Sequence, residues 1–280
     1  MRRYLAHRLL AAVPVTFLVS LMVFGLMNLL PGNPIQAMYG PESGLSPEVL
    51  AVVRQTLGLD RGVPERYLIW LGRVVRADLG TSIRTGVPVG QAIGVALPAT
   101  VALAAASFGL AVLIGLPVGI YAATRSSWWL LGAADSLTLL GMSVPTFVTG
   151  PLLILFFAVQ FHALPAVGYA PPGMGLAQFF EHLALPAVTQ GIHLAAIITL
   201  TVRHHVAEEL ARDYVRTGYA KGLYRGLVLR RHVLRNAMLG IISIGGWVLI
   251  SQIGGTIVIE TLFAWPGIGL LAYRSVQGRD

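Results

Sequence analysis

Long apolar runs alternate with polar and charged stretches along this chain. Residues 9–30 carry no charge, and twenty-two residues at ~1.5 Å per residue just cross a hydrocarbon core of ~30 Å as a helix. Similar runs at 98–123, 133–158, 184–202 and 238–259 predict an all-α polytopic membrane helical bundle with five spans. The first run is longer than a signal peptide's apolar region. It ends in Leu30-Pro31-Gly32-Asn33-Pro34 rather than at a small-residue cleavage site, so it reads as an uncleaved helix. Arg2, Arg3 and Arg8 ahead of it place the amino terminus inside.

Each later run has its own character. In 98–123, Gly115-x-x-x-Gly119 permits close helix packing, and Pro117 predicts a kink. Asp135, Pro145 and Pro151 lie in the third run, where a bend is expected. Gln190, His193, Ser251 and Gln252 stand within the fourth and fifth runs. Polar side chains at that depth face the bundle interior or a water path, which makes these four candidates for lining a pore.

The polar stretches divide the rest. Residues 1–30 form a tail and the first span, 31–97 an external region, and 98–280 the transmembrane core. Within 31–97, Ser46-Pro47-Glu48 begins a helix that Gly58 ends, and a second helix covers 64–75. Both are expected to lie on the outer membrane surface.

A charged insertion at 203–237 interrupts the last two runs. It holds eight of the chain's 20 basic residues and its only lysine, so it belongs on the cytoplasmic face. Apolar positions at helical spacing on either side of Gly222 predict two short amphipathic helices broken by a turn there. A helix pair pushed out of the membrane is a shape that docks into a partner.

Composition narrows the function classes. With 55% hydrophobic and 11% charged residues, the chain is far too apolar for a soluble domain. Topology accounts for the formal charge of +8 better than a nucleic-acid partner does. The absence of cysteine excludes disulfides and thiolate chemistry. No phosphate-cradling G-x-x-x-x-G-K-[ST] occurs, and Gly267-x-Gly269-x-x-Ala272 has no strand–helix–strand unit around it to make a dinucleotide site.

Several strings together resemble one family. DYVRTGYAKG at 213–222 with RHVLRNA at 231–237 is similar to the cytoplasmic EAA loop of ABC-importer permeases, in its dipeptide, oligopeptide and nickel branch. LPGNP at 30–34, GLD at 58–60, YLIWL at 67–71 and DLGTS at 78–82 match the same branch. So do PTFVTGPLLILFF at 145–157, LPAVGY at 164–169, and the E-x-x-F-x-x-P-G-x-G segment from Glu260 to Gly269. Gly218 stands where the family has alanine, and His232 where it has an apolar residue.

The resemblance implies a permease subunit of an ATP-driven importer in the bacterial inner membrane, carrying dipeptides or oligopeptides. It implies six spans, the last lying past Asp280. Its ATPase-coupling residues are Asp213, Arg216, Thr217, Gly218, Ala220, Lys221, Gly222 and Arg225. The implied partners are a second permease subunit forming a heterodimer, two ATPase subunits that bind the ATP, an extracytoplasmic substrate-binding protein and membrane lipid. The chain itself is then no enzyme and holds neither cofactor nor metal. Glu260 is expected at the outer end, paired with an arginine. The alternatives are the same machine for nickel or another small solute, a membrane scaffold, or an intramembrane hydrolase using His193 with Asp135 or Glu260.

Overall fold

The computed structural model describes residues 2–29, 55, 58, 60–124 and 128–280. The LPGNP string, Arg125 and all but Gln55 and Gly58 of the helix expected from Ser46 lie outside these residues, as does Leu59 of the GLD string. The described residues are helical, with no strand beyond one isolated bridge between Thr81 and Pro88. They separate into two compact units, residues 1–94 with 272–280 and residues 95–271.

In the first unit, helix α1 (Arg2–Leu29) packs against α2 (Val63–Val75). Tyr67, the buried residue of α2, sits edge-on to Phe17 and Phe24 and its hydroxyl meets that of Ser20 at 2.8 Å. Trp70, one turn on, stacks at 6.0 Å from Phe24, and Arg66 donates to Asn28 Oδ1 at 2.9 Å. Tyr67 and Trp70 of the YLIWL string, three positions apart, thus mark the face by which α2 grips the first apolar helix, while Leu68 between them is exposed. The DLGTS string forms a tight turn, in which Asp78 Oδ1 accepts the Gly80 N–H at 2.9 Å. Gly80 has φ +78°, a conformation that glycine adopts without strain.

The second unit is organised around α6 (Leu176–Leu210), a helix of 35 residues. In its most apolar stretch 67% of residues are buried, against 28% or fewer in the other long apolar helices, which makes it the axis. Against it pack α3 (Val89–Thr124), α4 (Trp128–Ser143), α5 (Thr146–Leu153) and α9 (Leu234–Gly255). At ~1.5 Å per residue α6 is about 52 Å long, so it outruns a ~30 Å hydrocarbon core. Its two ends enter separate apolar cores. One holds Val202 and Val206 with Val215, Val228 and Val233; the other holds Phe179 and Leu183 with Ile259, Phe263 and Trp265.

Among the described residues, four helices are long and apolar enough to cross a membrane, and a fifth span is made if the bent pair on either side of Pro145 counts as one. That pair turns through 105°, because the residue before a proline avoids the helical region and Pro145 is itself extended at ψ 148°. The Gly115-x-x-x-Gly119 face meets α6 as its spacing predicts. A methyl group on Gly119 would stand 2.7 Å from Val202 Cβ and 2.8 Å from the Thr199 carbonyl oxygen.

Two expectations are corrected. Val206 and Leu210, expected with Tyr214 and Val215 in the first short amphipathic helix, belong instead to α6, since charge ends an apolar run but not a helix. Only one short helix, α7 (Asp213–Ala220), follows it. The second expected helix is the start of a continuous helix over 225–255, comprising α8 (Arg225–Val228), a wider π-helical turn (Leu229–Val233) and α9.

Candidate functional site: the charged platform

Helix α7 starts from Arg212 in an extended conformation, with Asp213 in its first turn, where an acidic side chain suits the exposed N–H groups. Its apolar face is anchored by Val215, which is 2% exposed and packs with Val206, Val228 and Val233. Its stop is a Schellman motif, with the Leu223 N–H on the Gly218 carbonyl at 3.2 Å and the Gly222 N–H on Tyr219 at 2.9 Å. Gly222 takes the left-handed position with φ +79°, so the turn expected there is real and requires glycine.

The predicted coupling residues divide by face. Asp213, Arg216, Thr217, Ala220, Lys221, Gly222 and Arg225 are exposed, and Gly218 is half-buried. Arg216 and Asp213 lie 3.6 Å apart with side chains 81% and 95% exposed, which leaves both free to meet another surface. Behind the helix, Arg212 binds Glu208 at 2.8 Å, and Tyr214 donates to Glu209 at 2.5 Å. Partial burial, together with that acidic neighbour, raises the Tyr214 phenol above its usual range. The platform is thus braced from α6 while its outer face stays open.

A cavity of about 290 Å³ lies beside α7, lined by Tyr214, Thr217, Gly218, Lys221, Leu223 and His232. His232 is exposed in the π-helical turn, and the apolar side chain buried there is its neighbour Val233. A methyl group on Gly218 would rest 3.4 Å from Val228 and 3.9 Å from Leu223, ordinary contacts that supply the apolar touch a Schellman motif usually has. Gly218→Ala is therefore expected to stabilise the platform by about 1 kcal/mol. Slower amide hydrogen exchange over 213–222 in the variant is the check.

The deeper polar residues are drawn together only in part. Gln190 and Gln252, each 5% exposed, bond to one another through their amides, and Gln190 Oε1 has no partner. His193 Nδ1 lies 2.8 Å from the Gly141 carbonyl oxygen, and Ser251 bonds back to Val248 on an exposed face. Asp135 forms an ion pair with Arg203. A hydrolytic pairing of His193 with Asp135 or Glu260 is therefore not assembled, because each of the three is engaged elsewhere.

Glu260 is buried against Thr100 and Thr256, and among the described residues no arginine pairs with it. Sequence reading missed Thr100, whose partner stands 160 positions away. The one local hint was the pair of glycines after Pro266.

Comparison with known proteins agrees with this architecture. Residues 115–280 match the binding-protein-dependent transport system inner membrane component, and residues 1–104 match the N-terminal part of such membrane components. A relative in Brucella suis named as a peptide permease protein is 38% identical over 283 residues, covering 100% of this chain and 89% of its own. The glutathione transport system permease protein of Pectobacterium atrosepticum is 35% identical over 280 residues, covering 100% of this chain and 88% of its own. Among solved structures, the inward-facing MetNI methionine ABC transporter shares the fold. The match has a TM-score of 0.52 at 18% identity and covers 67% of this chain and 82% of that one. A multi-pass helical bundle with a braced, outward-facing charged platform, matched over nearly its whole length, belongs to the family of inner-membrane components of binding-protein-dependent ABC transport systems.

Proposed function

We propose that this chain is the permease subunit of an ATP-driven importer that carries dipeptides or oligopeptides across a bacterial inner membrane. The observation that carries this reading is α7, whose buried Val215 ties it to two long apolar helices while Arg216 and Lys221 project outward. A push on such a helix is transmitted to the bundle through close-packed valines, which do not deform continuously. The platform faces the cytoplasm, with the amino terminus on the same side, and it docks on separate ATPase subunits. A second permease subunit completes the pathway, and an extracytoplasmic binding protein delivers the substrate. The chain is no enzyme and holds no cofactor; ATP binds to the partner subunits.

The substrate class is supported by relatives whose names specify peptides and glutathione, itself a tripeptide. Gln190, His193, Ser251 and Gln252 are the candidates for lining the pathway, and the unpartnered Gln190 Oε1 is a free acceptor for an amide N–H. Reversing charge at both Arg216 and Lys221 tests the docking role. The double variant, Arg216→Glu with Lys221→Glu, is expected to lose uptake of a radiolabelled tripeptide by about tenfold or more, through like-charge repulsion at the interface. Its amount in the membrane is expected to stay unchanged, since both side chains are exposed. Uptake at the parent rate would overturn the docking role.

A further inference from the structure

The end of the second unit farthest from α7 is held by chemistry of another kind. Glu260 is 0% exposed, and among the described residues no basic side chain forms an ion pair with it. Its carboxyl oxygens instead accept three hydrogen bonds, from Thr100 Oγ1 at 2.8 Å, Thr256 Oγ1 at 2.9 Å and the Leu270 N–H at 2.7 Å. Thr100 also accepts the Ile268 N–H at 2.8 Å, so it relays between the carboxyl group and the first turn of α11 (Ile268–Gly278). The Glu260 carbonyl takes the Trp265 N–H at 2.8 Å, and the Trp265 indole donates to the Ala99 carbonyl at 2.8 Å. One residue thus caps the end of α10 (Ile257–Leu262) with its backbone and the start of α11 with its side chain.

The surrounding sequence is shaped to this contact. A methyl group on Gly267 would collide with the Glu260 carboxyl and the Thr100 hydroxyl, and one on Gly269 would stand 2.9 Å from Glu260 Oε2. Both glycines are needed so that the backbone can reach the carboxyl group. Ala264 meanwhile holds φ +52°, a conformation that costs a residue with a Cβ and persists only where its surroundings enforce it. A greasy side chain at 260 would fill the same space without any desolvated oxygen, so packing alone does not account for a carboxyl group here.

We infer that Glu260 is a positioning residue for transport, whose hydrogen bonds to Thr100, Thr256 and the start of α11 latch residues 257–271 to α3. The latch holds one end of the unit without involving the valine core that anchors α7. Losing it frees the turn locally and leaves the platform seated. The inference rests on the permease reading for its transport consequence, but the latch itself is open to a separate measurement.

The test uses the full chain in its complete transporter, with Thr100→Val, Thr100→Ser and Glu260→Gln. Because the chain has no cysteine, single reporters can be placed at Ile259 and Val206, which are 1% and 0% exposed and lie in the two different cores. Thr100→Val and Glu260→Gln are expected to cut tripeptide uptake by about tenfold, the shift expected from one lost hydrogen bond to a carboxyl group. Maleimide is expected to label Ile259→Cys in both, while Val206→Cys stays protected. Thr100→Ser, which keeps the hydroxyl, is expected to match the parent in both readouts.

Equal uptake and equal labelling in Thr100→Val and Thr100→Ser would overturn the positioning role. Labelling of Val206→Cys alongside Ile259→Cys would overturn the latch as a local device, because the whole unit would then have opened. A parent that takes up no tripeptide would count against the substrate class alone, and the labelling pair would still decide the latch.

Discussion

Alanine at both Gly115 and Gly119 is expected to stop the protein accumulating as a folded bundle. Helix α3 meets α6 through these two positions with no room for a side chain. On Gly115 a methyl group would lie 2.9 Å from the Ala195 carbonyl oxygen and from Ile198, and on Gly119 it would lie 2.7 Å from Val202 Cβ. These neighbours are β-branched side chains and backbone, neither of which can swing aside. Each added methyl is expected to cost about 1–3 kcal/mol, a large share of a typical net stability of about 5–15 kcal/mol. Because α6 is the axis of the second unit, separating α3 from it also exposes Ala195 and Val202, both 0% exposed in the fold. The control lies in the same helix. Gly109 has open space around it, so Gly109→Ala is expected to leave stability unchanged or raise it by up to about 1 kcal/mol. Thermal unfolding in detergent and the yield of folded protein from membranes are the measurements, and the same substitution is expected to act in opposite directions ten residues apart.

The contrast shows what the sequence made legible. Apolar runs announced the spans because lipid leaves a chain no option but to satisfy its backbone inside each helix. Their ends were read less well. Helix α3 begins at Val89 and α6 runs on through Glu208 and Glu209, since a helix continues past the apolar stretch into water without losing a hydrogen bond. The turn at Gly222 was visible because a left-handed position favours glycine, but a second short helix separate from the last span was not formed after it. Arg230, Arg231 and Arg235 ride on the outside of that continuous helix, whose inner face is Val228 and Val233.

Partners far apart along the chain were the least legible. Gln190 and Gln252 were chosen one by one for their depth, and nothing local says that they find each other across 62 positions. The arginine expected for Glu260 followed from the rule that a membrane charge seeks a counter-charge. Two threonine hydroxyls and a helix's free N–H group satisfy the same oxygens without one. In the same way the LPAVGY and E-x-x-F-x-x-P-G-x-G strings read as separate marks, although they are one object. The Gly168 N–H bonds the Phe263 carbonyl at 2.8 Å, and Tyr169 stands edge-on to Trp265 with ring centres 4.7 Å apart.

Trp265→Ala is expected to destabilise that end of the bundle by about 3–5 kcal/mol. The indole is 0% exposed and lies between Tyr169 and Phe179, so its loss leaves a cavity that flanking helices, pinned at Glu260, cannot close. It also removes the indole's donor from the Ala99 carbonyl, which is left with its place in the α3 helical ladder alone. Trp265→Phe separates the two contributions. A phenyl ring keeps most of the volume and the edge-on packing but cannot donate, so its cost is expected near the ~1 kcal/mol of a single hydrogen bond. If instead the alanine and phenylalanine variants unfold at the same temperature, the hydrogen bond to Ala99 governs this end and packing does not. If both match the parent, the apolar core around Trp265 does not hold residues 257–271 in place, and the Glu260 hydrogen bonds alone do.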